Sequence, residues 1–264
     1  MAANSEKTFS GPVTVFHEAR LPEPATPAGY AALIDAYGLT VPWPRILRAT
    51  TERHKVYRQR GWEFLTTRHA PPATLEGHLT FALKHEGLEL AVLKRLFEGV
   101  GQESVADLVR RKPTGKYARR LWFLYEWLLG SPLPLADATR GNYVPVVDPE
   151  VQWAGESVPS PRHRVRNNLP GTPSFCPLVY RTETLDGLVD LDLAGRAREV
   201  MAEVSRDIRS RTASFMRLKD SRSSFAIEGE HPPQDRIQRW GRIIGEAGQQ
   251  PLDLAELFRL QRIV

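Results

Sequence analysis

Nine prolines fall between residues 132 and 177, at positions 132, 134, 145, 149, 159, 161, 170, 173 and 177, and no helical period survives among them. Proline fixes φ and has no amide hydrogen to donate, so neither a helix nor an interior strand runs through such a stretch. The chain is thereby cut into an apolar-periodic segment up to about residue 130, an extended segment over 131–184, and a second periodic segment over 185–264. Short β-like pieces are expected inside the extended segment at Tyr143–Val147 and Phe175–Tyr180. A connector of this length is unusual unless it packs on a neighbour or on a domain.

The first 25 residues, dotted with Pro and Glu, read as a loose arm. Residues 26–130 read as a helical module. Tyr30, Leu33, Ile34 and Tyr37 predict a short amphipathic helix stopped by Gly38, and Pro44 suits the first turn of another through Leu47. Val56-Tyr57 and Trp62–Leu65 flank Arg58-Gln59-Arg60-Gly61 as a small hairpin. Leu75/Leu79/Leu83, Leu88/Val92/Leu96, Val105/Leu108 and Leu121/Leu124/Leu128 then recur at helical spacing.

Beyond the extended segment, Ala197, Val200, Met201, Val204, Ile208, Phe215 and Leu218 trace one apolar stripe, with two helices expected to meet near Arg209–Arg211. Gln234–Ile244 and Asp253–Ile263 add two more helices, the second capped by Asp253. The expected fold is mainly α: a helical bundle-like module with one hairpin, a Pro-rich connector, then further helices. The chain closes on the apolar pair Ile263-Val264 without a polar cap, which reads as a chain cut short.

Charge narrows the function classes only a little. The sum of 36 basic and 31 acidic residues is +5, with a pI near 9.5, and lysine supplies only seven of the positive charges. The longest apolar runs, such as Leu121-Trp122-Phe123-Leu124-Tyr125, fall far short of the ~20 residues that span a bilayer. Met1–Lys7 has no apolar h-region, and a single cysteine excludes a disulfide framework. The expectation is a cytoplasmic protein. The seven histidines include no pair at i,i+4, so no metal site is expected.

The stretch Asp220–Glu230 carries the chemistry. Ser224 and Glu228 are four apart, one turn above each other on a helix, so the hydroxyl is placed to orient the carboxylate. Gly229 suits the left-handed residue that ends a helix, and Pro232-Pro233 forbids continuation. A carboxylate at a helix C-terminus faces the negative end of the macrodipole, a disfavour of ~0.3–1 kcal/mol, and calls for a cation such as the planar fork of Arg.

Ser224-x-x-x-Glu228-Gly229 resembles the inhibitory-helix motif [Ser/Thr]-x-x-x-Glu-[Gly/Asn] of Fic-domain proteins, and the longer string Ser223-Ser224-x-x-Ile227-Glu228-Gly229 is similar to the form found just upstream of the Fic core. The flanks Arg217–Arg222 and Asp235–Trp240 also look like those of bacterial Fic proteins. The resemblance covers residues 185–264; residues 1–184 look like an N-terminal extension. It implies a protein adenylyltransferase, which moves AMP from ATP to a hydroxyl of a target protein with Mg²⁺. It also implies that Glu228 is the inhibitor, pairing with an Arg of the core and displacing the γ-phosphate, and that Ser224 positions it.

The core motif His-Pro-Phe-x-[Asp/Glu]-Gly-Asn-Gly-Arg-x-x-Arg is absent. The only His-Pro pair, His231-Pro232, lacks the Phe, the acid and the Gly-Asn-Gly. No catalytic residue is therefore assigned, and this chain alone is expected to transfer nothing. Its partner would be a C-terminal Fic core in the same longer chain, which would supply the ATP and Mg²⁺ site.

Two other classes stay open. Arg110, Arg111, Lys112, Lys116, Arg119 and Arg120 carry positive charge with no acid among them, and with the hairpin cluster Arg53, Lys55, Arg58 and Arg60 they form a candidate grip on nucleic-acid phosphates. A solvated basic face is the plainer reading of the same residues. Residues 30–130 would equally serve as a helical protein–protein adaptor.

Overall fold

The computed structural model describes residues 7–246 and 248–263. The chain divides after Thr182 into two compact units. The architecture is mixed α/β rather than mainly α, because the first unit contains two sheets where the sequence predicts one hairpin and short β-like pieces.

The first sheet is built from β1 (Val13–Phe16), β2 (Ala19–Ala28), β3 (Leu47–Thr51), β4 (Tyr57–Gln59) and β5 (Trp62–Thr66), in the order β1-β2-β3-β5-β4. Residues 13–25, expected as part of a loose arm, thus lie in β1, the turn after it and β2, and residues 26–28, expected in the helical module, complete β2. β2 carries Pro22, Pro24 and Pro27, which hide it from pattern reading. Its pairing explains why they are tolerated. Residues 19–25 face β1 and residues 26–28 face β3, so each half of the strand is paired on one side only and proline sits as it does on an edge. Leu47, expected in a helix, opens β3, which runs parallel to β5 with Ala49 opposite Phe64. The predicted hairpin is present as β4–β5, with Arg60 (φ 51°) and Gly61 (φ 80°) supplying the two left-handed residues of its turn.

Four helices cover this unit: α1 (Tyr30–Tyr37), α2 (Leu75–His85), α3 (Leu90–Arg111) and α4 (Lys116–Leu129). Gly38 ends α1 in the left-handed conformation, Thr74 caps α2 by accepting from the Gly77 amide at 3.0 Å, and Gly101 (φ 76°) kinks α3. Tyr30, Leu33, Leu79, Leu83, Leu93, Leu96, Phe97 and Leu124 form the centre of one apolar core.

The proline-rich stretch is built into this unit instead of bridging two domains. β6 (Val144–Pro145), β8 (Val165–Asn167) and β7 (Val158–Ser160) make a three-stranded sheet in that order. Leu133, Val146, Val147, Val165 and Leu169 enter the helical core. Phe175–Tyr180 is not a strand and contributes only isolated bridges, Gln152 to Tyr180 and Thr172 to Phe175.

The second unit comprises α5 (Glu183–Asp190), α6 (Leu193–Glu203), α7 (Arg206–Ile227), α8 (Gln234–Glu246) and α9 (Leu254–Ile263). The break in the long helical stretch falls at Val204-Ser205 rather than at Arg209–Arg211, because the Ser205 hydroxyl accepts from the Ile208 amide and starts α7 there. Asp253 caps α9 through the Glu256 amide at 2.8 Å. Among the described residues of this unit only Ser221, Phe225, Ile237, Gly241 and Ile243 are buried, all on the seam between α7 and α8. Val200, Met201, Ile208 and Phe215 of the predicted apolar stripe are exposed. The terminal pair Ile263-Val264 lies outside the described side chains.

Candidate functional site

The motif singled out in the sequence sits at the end of α7. The helix closes with a Schellman arrangement: the Gly229 amide donates to the Ala226 carbonyl at 3.1 Å and the Glu230 amide to the Phe225 carbonyl at 2.8 Å. Gly229 takes φ 73°, the left-handed value this closure demands. Glu228 occupies the cap itself and is exposed. No ion pair holds its carboxylate among the described residues.

Ser224 does not orient that carboxylate. Its hydroxyl donates back along the helix to the Asp220 carbonyl at 3.1 Å, as Ser221 does to Arg217 at 2.8 Å. The Ser224–Glu228 contact expected from i,i+4 spacing is replaced by this local backbone bond. The turn beyond the cap is ordered by other groups. Arg236 pairs with Glu230 at 3.2 Å and lies over the Phe225 ring, 5.2 Å from its centroid, fixing the passage from α7 into α8.

The six-residue basic patch is not one surface. Arg119 and Arg120, 3% and 1% exposed, are core residues. Arg120 donates to the carbonyls of Val146 (2.9 Å) and Leu83 (3.2 Å), and Arg119 to those of Asn142 (2.8 Å) and Arg164 (3.0 Å). Three of these four carbonyls belong to the proline-rich stretch, and the fourth, that of Leu83, is in the last turn of α2, where the helix leaves it open. Arg110 is held by Glu103 and Asp107, Lys112 by Glu76, and in the hairpin cluster Arg53 is held by Glu23 and Arg58 by Glu63. Arg111 and Lys116 of the patch, and Lys55 and Arg60 of the hairpin, are in no ion pair among the described residues, so the basic side chains on these elements that lack a carboxylate are fewer than charge counting suggests.

Two polar clusters escaped the sequence reading. Glu126 gathers the Trp122 indole (2.6 Å), the Leu133 amide (2.9 Å), the Arg162 fork and His163 Nε2 (2.9 Å). Burial alone would raise its pKa, but the Arg162 bonds, the Leu133 amide and the other donors hold it down at about 2. On the far side of the ring, His163 Nδ1 meets the Ser160 hydroxyl at 2.8 Å. The order hydroxyl, imidazole, carboxylate is that of a nucleophile relay. Here, however, the carboxylate is already neutralised by a guanidinium, and Thr66 makes the same i,i+3 contact to His69 Nδ1 with no acid behind it. Both contacts are turn staples.

The second cluster surrounds Glu86, a wholly buried carboxyl that accepts the Tyr30 amide at 3.0 Å. The Tyr180 hydroxyl bridges the Glu86 carbonyl (2.7 Å) and Glu89 Oε1 (2.8 Å), and Gln152 pairs in both directions with the Leu88 backbone. These contacts tie the end of the proline-rich stretch to the α2–α3 junction. His78 is likewise buried, stacked on Phe9 at 4.3 Å, and its pKa is pushed down to about 4 by burial.

No protein-family model matches this chain, and no curated protein or solved structure shows significant similarity to it. Among the described residues, no helix is long and apolar enough to cross a membrane.

Proposed function

We propose that this chain is the regulatory N-terminal part of a Fic-like protein adenylyltransferase, with Glu228 as its brake. The observation that supports the reading best is the state of Glu228: a carboxylate at a helix tip, disfavoured by the macrodipole, exposed and without a cation among the described residues of its own unit. Such a group is free to pair with a guanidinium presented by another polypeptide segment. The large apolar side chains that the same unit leaves in solvent, Ile208, Phe215, Leu254 and Phe258, are the surface such a segment would cover. In this reading the nucleotide site, with ATP and Mg²⁺, belongs to a Fic core outside these 264 residues, and the protein works in the cytoplasm. In this reading Ser224, whose hydroxyl donates to the Asp220 carbonyl, has no direct part in the inhibition.

The test is to express the whole reading frame and follow incorporation of AMP from ATP labelled at the α-phosphate. Glu228→Gly should raise incorporation by at least about tenfold, the factor that loss of ~1.4 kcal/mol of inhibitory pairing produces. Equal labelling of the two proteins removes Glu228 from the role. Absence of the core motif downstream, or of label in both proteins, removes the enzyme class.

A further inference from the structure

Between α7 and α8 runs a groove of about 420 Å³, within the roughly 300–1,000 Å³ typical of small-ligand sites. Ser214 and Arg217 line it from α7, and Gln238, Gly241, Arg242 and Gly245 from α8. The two glycines are one turn apart: Gly241 is buried against Leu218 and Ser221, and Gly245 leaves the α8 backbone open towards Arg217. Arg217 lies across that gap, its Nη1 3.3 Å from where a Gly245 Cβ would be.

The charge in the groove is unbalanced. Neither Arg217 nor Arg242 is paired with a carboxylate among the described residues, whereas neighbouring arginines are: Arg239 with Asp235 at 3.0 Å and Arg236 with Glu230 at 3.2 Å. Glu246 also lines the groove, and its nearest cation, Arg259 at 3.6 Å, is held at 2.7 Å by Glu256, so the groove carries two arginines against one carboxylate. Among the described residues, the side-chain hydrogen bond of Arg217 goes to Ser214, whose hydroxyl accepts from Nη2 at 3.3 Å. That bond steadies the fork and leaves its other N–H groups without a partner among the described residues.

From this arrangement we infer that the α7–α8 groove binds a phosphate-bearing small molecule, gripped by Arg217 and Arg242 from opposite helices. A carboxylate offers two oxygens and saturates one guanidinium. A terminal phosphate or pyrophosphate offers three or more and accepts from two forks at once. The Gln238 amide and the Ser214 hydroxyl are the remaining polar groups in reach. This site is separate from Glu228, and it stands or falls independently of the regulatory role proposed above.

The experiment is calorimetric titration of the full chain with sodium pyrophosphate at constant ionic strength. Saturable binding is expected, weakened about tenfold or more by Arg217→Gln and by Arg242→Gln. Arg239→Gln, on the same helix but outside the groove, should change it less than about twofold. Gly245→Ala keeps every charge, displaces the Arg217 fork and should also weaken binding. ATP binding no tighter than pyrophosphate identifies the phosphate alone as the ligand; tighter ATP binding identifies a nucleoside polyphosphate. The proposal is overturned by absence of saturable binding, by an equal loss in Arg239→Gln, or by citrate binding as tightly as pyrophosphate.

Discussion

The backbone amide of Tyr30 donates to Oε1 of Glu86 at 3.0 Å, so that a side chain 56 residues downstream caps the first turn of α1. Gly29, at the cap position, has no side chain to do this. The other oxygen of the Glu86 carboxyl is buried with no hydrogen-bond partner among the described residues. Burial raises its pKa to about 8, with Arg48 and the Tyr30 amide acting against the rise.

A raised carboxyl has a definite sign. Glu86 titrates near 4.5 when unfolded, so between pH 4.5 and about 8 the folded chain keeps a proton that the unfolded chain has released. The contribution of Glu86 to the stability of the first unit should therefore fall as pH rises through that window and level off above it, the loss reaching roughly 3 kcal/mol by pH 7, while His78, pushed down to about 4, acts with the opposite sign below pH 6.5. Glu86→Gln keeps the acceptor for Tyr30 and cannot ionise, so the difference in unfolding free energy between wild type and this variant isolates the Glu86 part and should move against the wild type as pH rises from 4.5 to about 8. A difference between wild type and Glu86→Gln that is level from pH 5 to 8 would show that Glu86 ionises freely.

Glu126 carries the opposite sign in the same unit. Its pKa is depressed from 4.5 to about 2, so its stabilisation is complete above pH 4.5 and is lost as pH falls toward 2. The full shift corresponds to roughly 3 kcal/mol. Glu126→Gln should lower the urea midpoint at neutral pH and remove most of this acid-side loss. Retention of the steep acid limb in that variant would assign the limb to other carboxylates.

Gly29 tests the packing around Glu86 by sterics alone. It has φ 58°, and a Cβ there would overlap Glu86 Oε1 and stand 2.8 Å from Phe81. Gly29→Ala should cost more than the ~1–2 kcal/mol of a left-handed alanine, about 2–4 kcal/mol by urea unfolding. Combined with Glu86→Ala, which opens the space, the loss should be less than the sum of the two single changes. Strict additivity would mean that the two residues do not meet.

These clusters explain what could and could not be read from the sequence. Helix boundaries with local causes were legible: Gly38 after α1, Asp253 before α9, Arg60-Gly61 in the β4–β5 turn. So was the end of α7, where Gly229 and Pro232-Pro233 act within a few residues. The strands β1 and β2 were not, because proline in β2 obscures the alternation and is accommodated only by long-range pairing to Ala49 and its neighbours. Arg120 left a trace that was misread: it stands three residues after Tyr117 and four before Leu124, on the apolar face of α4. Charge composition placed it on a surface, whereas helical position places it in the core. Ser224 shows the limit of spacing arguments, since i,i+4 geometry allows both a bond to Glu228 and one to Asp220, and backbone proximity decides for the second.

The second unit has little to hold it together, and this is its most accessible physical property. Its five buried residues lie on one seam, whereas the first unit closes around a continuous core of aliphatic and aromatic side chains. Phe215 is 65% exposed and Leu254 71% exposed, and each burial forgone withholds ~1.5–3 kcal/mol. Amide hydrogen exchange should accordingly find α6, α9 and the first half of α7 opening well below the free energy that protects α4, with protection in the second unit confined to the Ser221–Phe225 and Ile237–Ile243 seam. Trypsin should cut first beyond residue 182 and leave the first unit intact. If a segment such as the proposed core covers the apolar face, its addition should raise protection at Ile208 and Phe215 before it alters α4. Uniform protection across both units in the isolated chain would mean that the second unit is stable without any cover, and the need for a docking partner would disappear with it.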